Sequence, residues 1–366
     1  MGEDRSRARR ANPRRGPGRL IIKASFWLNR RVFVTGATGL LGSWLVPDLV
    51  RRGANVVALV RDGSPRSRLV SEGWIDRIST VHGALTDDGV VRRALAEYEV
   101  ETVFHLGAQT LVGVAKKDPV STLEANVRGT WMLLDAARQC GVGQVLVASS
   151  DKAYGDSSTL PYREDHPLQG RFPYDVSKSC TDLIATMYAR TYALGTVVVR
   201  CGNLFGGGDL NFSRLIPGVI MATLRGEPFL IRSDGKFVRD FLYVEDAADA
   251  YLRVAEKLAA DPSIAGEAFN FGLELHPTML ELTEKVLAMM GRPDLRPVVQ
   301  NIASAEIREQ YLDAGKARSR LQWAPRHGLE EGLRRTIDWY RKFFAEEVIT
   351  GLKPTSMVGE TREIAT

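Results

Sequence analysis

Cysteine is scarce: Cys140, Cys180 and Cys201 are the only three, and no two form a CxxC pair. So sparse and odd a set argues against a disulfide scaffold and a thiolate zinc site. It fits a reducing compartment, so a cytoplasmic location is expected. The histidines are equally dispersed. His82, His105, His166, His276 and His327 make no HxxxH spacing, and no metal centre is expected from them. His105 lies on an apolar strand and reads as a packed core residue. No apolar run approaches the roughly 18 residues of a membrane-spanning helix, and the polar N-terminus lacks the apolar segment of a secretory signal. Acid is missing where base is dense: residues 5–31 carry nine Arg and one Lys but no Asp or Glu, and they account for the net charge of +5. This basic arm, residues 1–25, is expected to be disordered. No aromatic interleaves its arginines before Phe26, so nucleic acid is not an expected partner. Residues 345–366 read as a non-periodic tail.

Between these ends the chain alternates. Short apolar runs at 31–35, 54–60, 79–83, 101–107, 144–149 and 196–201 are separated by stretches of helical spacing at 40–53, 119–140 and 174–193. Continuous apolar strands between amphipathic helices predict an α/β fold, a doubly wound parallel sheet covered on both faces. After about residue 206 the pattern loosens into shorter elements punctuated by Gly and Pro. We therefore expect a dinucleotide-binding domain over 26–205, completed by part of 240–275. A smaller, mainly substrate-binding domain is expected over 206–344, at the carboxyl ends of the strands.

The first strand runs into TGATGLLG (35–42) and then a helix. Gly36 permits the tight turn, Gly39 lets backbone approach a pyrophosphate, and Gly42 lets helix and strand pack closely. Thr38, Leu40 and Leu41 complete the loop, whose helix N-terminus offers free N–H groups to an anion. The cofactor expected is NAD or NADP. The second strand ends in Val60-Arg61-Asp62, with no carboxylate in the last strand position for a ribose hydroxyl; Arg61 could meet a 2′-phosphate, a lean toward NADP.

PYDVSK (173–178) opens a helix with Tyr174 and Lys178 one turn apart on the same face. A nearby ammonium is expected to lower the phenol from about 10 toward neutrality, making Tyr174 a base for a hydroxyl proton. Ser150, where the fifth strand ends, could hydrogen-bond the same hydroxyl.

With these segments on the page, residues 26–344 resemble an extended short-chain dehydrogenase/reductase of the NAD-dependent epimerase/dehydratase family. FHLGAQ (104–109), NVRGT (126–130), RCGNLFGGGD (200–209) and FVRDFLYVED (237–246) carry the likeness, and SSDKAY (149–154) with GNLFGGGD and RLIP is most similar to the CDP-glucose 4,6-dehydratases. The resemblance implies a tightly bound, recycled cofactor near Leu106 and Ala108, a nucleotide-diphosphate hexose substrate and a homodimer. It assigns catalysis to Ser150, Tyr174 and Lys178. Ordinary 4-epimerases have small uncharged residues after the catalytic Ser or Thr; this chain has Asp151 and Lys152. That pair implies an added elimination of water across C5–C6 of a transient 4-keto sugar, with Asp151 as the acid at the departing oxygen. Lys152 is either a base at C5 or a support for Asp151. A 4-epimerase on the same scaffold is the alternative. By the same resemblance Asn203 and Arg239 face the diphosphate, Arg214 can reach it, and Asn126 positions the active-site loop and is grouped with the substrate side.

Overall fold

The computed structural model describes residues 26–302 and 306–350; the basic arm and the end of the chain lie outside the described residues. Six parallel strands form in chain order: β1 (Arg31–Thr35), β2 (Asn55–Val60), β3 (Ser79–His82), β4 (Thr102–His105), β5 (Gln144–Ala148) and β6 (Thr196–Cys201). A seventh, β7 (Ala268–Phe271), returns from beyond residue 206 to pair with β6. The sheet order is β7-β6-β5-β4-β1-β2-β3. Successive side chains point to opposite faces. On β1, Val32 and Val34 enter one core with helix α1 (Gly42–Arg51), while Phe33 enters the other with α2 (Asp88–Glu97), α3 (Gly129–Gln139) and α4 (Pro173–Tyr192). Helix α5 (Val244–Ala260) shares the first core. Both faces are covered, which is why these strands read as unbroken apolar runs.

Strand order reverses between β1 and β4, and such a reversal opens a crevice at the carboxyl ends of the strands. Beyond residue 206 short parallel pairs gather near that end: Asn203–Phe205 with Phe241–Tyr243, and Val238–Arg239 with Glu309–Gln310.

Two expectations need correction. The helix expected over 119–140 is three pieces, Pro119–Leu123, a π-turn at Glu124–Arg128 and α3. At this wide turn the carbonyl of Asn126 accepts from the hydroxyls of Thr130, at 2.5 Å, and Thr181, at 3.0 Å. The last helix, Leu329–Thr350, runs past residue 344, because Leu333, Ile337 and Tyr340 keep a helical period that buries one face.

Candidate active site

The loop after β1 is fixed by what its glycines lack. Gly36 has φ of 70°, and a Cβ there would stand 2.7 Å from the backbone nitrogen of Gly107, in the loop after β4. At Gly42 a Cβ would stand 2.3 Å from the Gly36 carbonyl oxygen. These two positions let the β1 loop, the β4 loop and α1 come together at the crevice. Gly39, in contrast, is exposed. Helix α1 has no side-chain cap at Leu41 and no acid in its first turn, so its N-terminus presents the donor groups and partial positive charge that suit a pyrophosphate. Thr38 is tied by its carbonyl to the Ser67 hydroxyl at 2.7 Å, and Leu40 is half-buried beside it. Across the crevice, Thr35 Oγ1 accepts from the Gly107 N–H at 3.0 Å, setting the Leu106–Ala108 segment. The residues present fit a dinucleotide. Arg61 lies at the rim, 71% exposed and bonded to Asp62 at 2.5 Å.

Strand β5 ends at Ala148, and Ser150 in extended conformation caps a 3₁₀ turn over Asp151–Tyr154. The Ser150 hydroxyl accepts from the Lys152 N–H at 3.3 Å and donates to Asp151 Oδ1 at 2.9 Å. This turn buries Asp151 to 1% exposure but leaves Lys152 partly open. The Lys152 ammonium stands 3.7 Å from Asp151 Oδ1 and donates to Gln310 Oε1 at 3.3 Å. Asp151 Oδ2 is buried with no hydrogen-bond partner.

Helix α4 starts on Pro173, where a missing N–H costs nothing, and carries Tyr174 and Lys178. Both are buried. The Lys178 ammonium donates to the Ala148 carbonyl at 2.9 Å, tying α4 to the end of β5, and lies 6.0 Å from the Tyr174 ring centre. Burial lowers Lys178 to about 8. The expected depression of the Tyr174 phenol is not found. Burial pushes it well above its ordinary value, opposed by the Arg214 cation and by hydrogen bonding to Ser150, and reinforced by Asp151. Desolvation outweighs nearby cations when the crevice holds protein groups alone.

The sequence over residues 32–272 matches the NAD dependent epimerase/dehydratase family. The chain belongs to that family. Its members are enzymes of nucleotide-sugar chemistry, and the relatives include both 4,6-dehydratases and 4-epimerases. CDP-glucose 4,6-dehydratase of Salmonella typhimurium is 31% identical, across 89% of this chain and 95% of its own. A dTDP-glucose 4,6-dehydratase from Streptomyces venezuelae, solved with NAD bound, is 30% identical with a TM-score of 0.77, covering 85% of this chain and 97% of its own. UDP-glucose 4-epimerase of Thermotoga maritima, solved with UDP-glucose, is 27% identical with a TM-score of 0.78, covering 86% and 99%.

The remaining residues divide. Asn126 does not reach out as a substrate ligand: its Oδ1 accepts from the Gln109 N–H at 2.7 Å, and its Nδ2 donates to the Gln109 carbonyl and to Ser177 Oγ. It is 2% exposed and holds the β4 loop against α4, so its place on the substrate side is corrected to a support. Asn203 donates through Nδ2 to the Asp240 carbonyl at 3.2 Å. Arg214 pairs with Asp209 and donates to Thr110 Oγ1, both at 3.0 Å. Arg239 is buried, and its guanidinium donates to the carbonyls of Val238, Ile307 and Arg308. Burial disfavours its charge, and Asp151 is the strongest counterweight.

Sequence reasoning missed three supports. Asp175, next to Tyr174, is buried and pushed up to about 6 by desolvation, with Lys152 pulling it down and Asp151 pushing it further up. Gln310 holds Lys152 from 158 residues away. Behind the turn, Arg200 makes a two-bond pair with Asp182 and donates to the Tyr154 hydroxyl at 2.7 Å, and Tyr154 stacks on Tyr162. Only Asp175 left a sequence signal, an acid inside the YxxxK segment.

Proposed function

We propose that this protein is a sugar-nucleotide 4,6-dehydratase acting on a CDP-glucose-like substrate. The observation that carries the reading is the buried Asp151 carboxyl, joined to Ser150 by a hydrogen bond, 3.7 Å from the partly open Lys152 ammonium and near enough to Tyr174 to push its phenol up. The likeness to CDP-glucose 4,6-dehydratase supports the choice of nucleotide.

NAD is the proposed cofactor, held by Gly36, Thr38, Gly39, Leu40, Leu41 and Gly42, by Leu106 and Ala108 across the crevice, and by Tyr174 and Lys178. Arg61 offers less to a 2′-phosphate than its sequence position suggests, because Asp62 already neutralises it. When bound, NAD supplies the hydride acceptor for C4, the hydride donor for C6 and, oxidised, a positive charge. Tyr174 takes the C4 hydroxyl proton, with Ser150 hydrogen-bonded to the same oxygen. The 4-ketone acidifies the C5 hydrogen; Tyr174, having released the C4 proton to solvent, takes the C5 proton and returns it to C5 as hydride adds at C6. Asp151 in its protonated form donates to the C6 oxygen as water leaves, and Lys152 steadies Asp151 and the enolate. Arg239, Asn203 and Arg214 take the diphosphate, for which planar guanidinium donors are well suited.

A homodimer is part of this reading. Val120 and Leu123, Trp131 on α3, and Leu183 and Met187 on α4 are exposed apolar side chains on adjoining helices. Such a patch fits a two-fold, self-complementary interface with a second copy.

The 4-epimerase reading is favoured by one finding, the equally close structural likeness to UDP-glucose 4-epimerase, and Ser150, Tyr174 and Lys178 suffice for it. Incubation of the NAD-loaded protein with CDP-, dTDP-, UDP- and GDP-hexoses separates the two. Loss of one water from the CDP-hexose supports the proposal; an isomer of unchanged mass supports epimerisation.

A further inference from the structure

Lys152 has a partner that no motif supplied. The segment 306–310 runs beside Val238–Arg239, with Gln310 opposite Arg239 in register. Its carbonyls at Ile307 and Arg308 hold the Arg239 guanidinium. Two residues later Gln310, 1% exposed, turns its side chain to the catalytic turn and accepts from the Lys152 ammonium at 3.3 Å. The amide orientation is dictated by chemistry: an ammonium has only donors, so the amide oxygen must face it. The amide nitrogen is thereby left buried with no partner, as is Oδ2 of Asp151, the carboxyl whose Oδ1 stands 3.7 Å from the same ammonium. Unpaired buried polar atoms are costly, and two around one ammonium mark a place that a hydroxyl-bearing ligand completes.

We propose that Gln310 is a positioning residue for the elimination step: its amide oxygen fixes the Lys152 ammonium beside Asp151, on the same segment that holds Arg239. The role assigned to Lys152 rests on the dehydratase reading; the contact itself does not. Both ends of the substrate, the diphosphate at Arg239 and the C6 hydroxyl at Asp151, then share one support. Gln310→Met removes the acceptor at similar volume, whereas Gln310→Glu keeps an oxygen in the same place.

The first measurement needs no turnover. Lysine acetylation in the NAD-loaded protein is followed by peptide mass spectrometry, with the exposed Lys117 as internal reference. Gln310→Met releases the amine, and Lys152 is expected to label about three- to tenfold faster relative to Lys117, while Gln310→Glu labels no faster than the native protein. An unchanged rate in Gln310→Met overturns the contact. The second measurement is single-turnover chemistry. Gln310→Met is expected to slow water loss about 10- to 100-fold with C4 oxidation and KM nearly unchanged, and Gln310→Glu to recover much of the loss. Equal loss of oxidation and elimination, or no rescue by Glu, overturns the positioning role. Native protein that dehydrates no nucleotide hexose overturns the dehydratase reading, and the labelling still decides the Gln310–Lys152 contact.

Discussion

Replacing Asp151 by Asn separates the two halves of the proposed reaction. The amide is the same size and keeps an oxygen where Asp151 Oδ1 accepts from Ser150, so the turn should survive. Oδ2 has no partner to lose, and Lys152 retains Gln310. Stability is therefore expected to change by no more than about 1 kcal/mol. What disappears is a transferable proton. A general acid contributes about 10²- to 10⁴-fold, and at about 1.4 kcal/mol per factor of ten the elimination barrier should rise by about 3–5 kcal/mol. Oxidation at C4 depends on Tyr174, Ser150 and Lys178 and should fall far less. Rapid mixing of the NAD-loaded variant with CDP-glucose, followed by nicotinamide absorbance for oxidation and by mass spectrometry for water loss, reads both halves. Undiminished water loss in Asp151→Asn, or an equal collapse of both halves, refutes the assignment of Asp151 as the acid.

Three further outcomes follow from the geometry. Lys178→Met should abolish C4 oxidation. It should also remove a buried charge whose drop from 10.5 to about 8 corresponds to about 3 kcal/mol of destabilisation in the protonated form. Between those values the unfolded chain binds the extra proton, so native stability rises with pH, and the Tm difference between variant and native protein should shift against the variant from pH 7 to 10; a constant difference contradicts this. Arg214→Ala takes away the strongest influence holding the Tyr174 phenol down, so the acid limb of the C4-oxidation profile should move to higher pH, and an unmoved limb excludes Arg214 from the site. Leu183→Arg places a charge on each side of a two-fold interface and should convert a dimer to monomer by light scattering, while thermal stability at low concentration stays within about 1 kcal/mol because Leu183 is 59% exposed.

Much of this molecule was legible because its signals are local. Parallel strands such as VVALV and TVVVR are buried on both faces, so their burial shows as composition, and the β1 loop carries its glycines within eight residues. Tyr174 and Lys178 share a helix turn, and Ser150, Asp151 and Lys152 are consecutive. What sequence reading missed depends on distance and desolvation. Gln310 comes to Lys152 only because Glu309–Gln310 pairs with Val238–Arg239, a two-residue strand too short to leave a periodic trace. The upward push on the Tyr174 phenol follows from burial, which no spacing reveals. Asn126 was recognised as a loop-positioning residue, but only coordinates show that its amide is consumed by Gln109 and Ser177. The last helix continues past residue 344 because the segment 345–350, AEEVIT, holds no Gly or Pro to stop it.

The most direct measurement is the fate of a label at one carbon. CDP-glucose carrying deuterium at C4 is turned over by the NAD-loaded protein in ordinary water, and the product is read by NMR. Deuterium at C6 of a product lighter by one water is the expected result, since the hydrogen taken from C4 must return to the carbon that lost its hydroxyl. Deuterium retained at C4 of an isomer of unchanged mass contradicts elimination and makes the enzyme an epimerase.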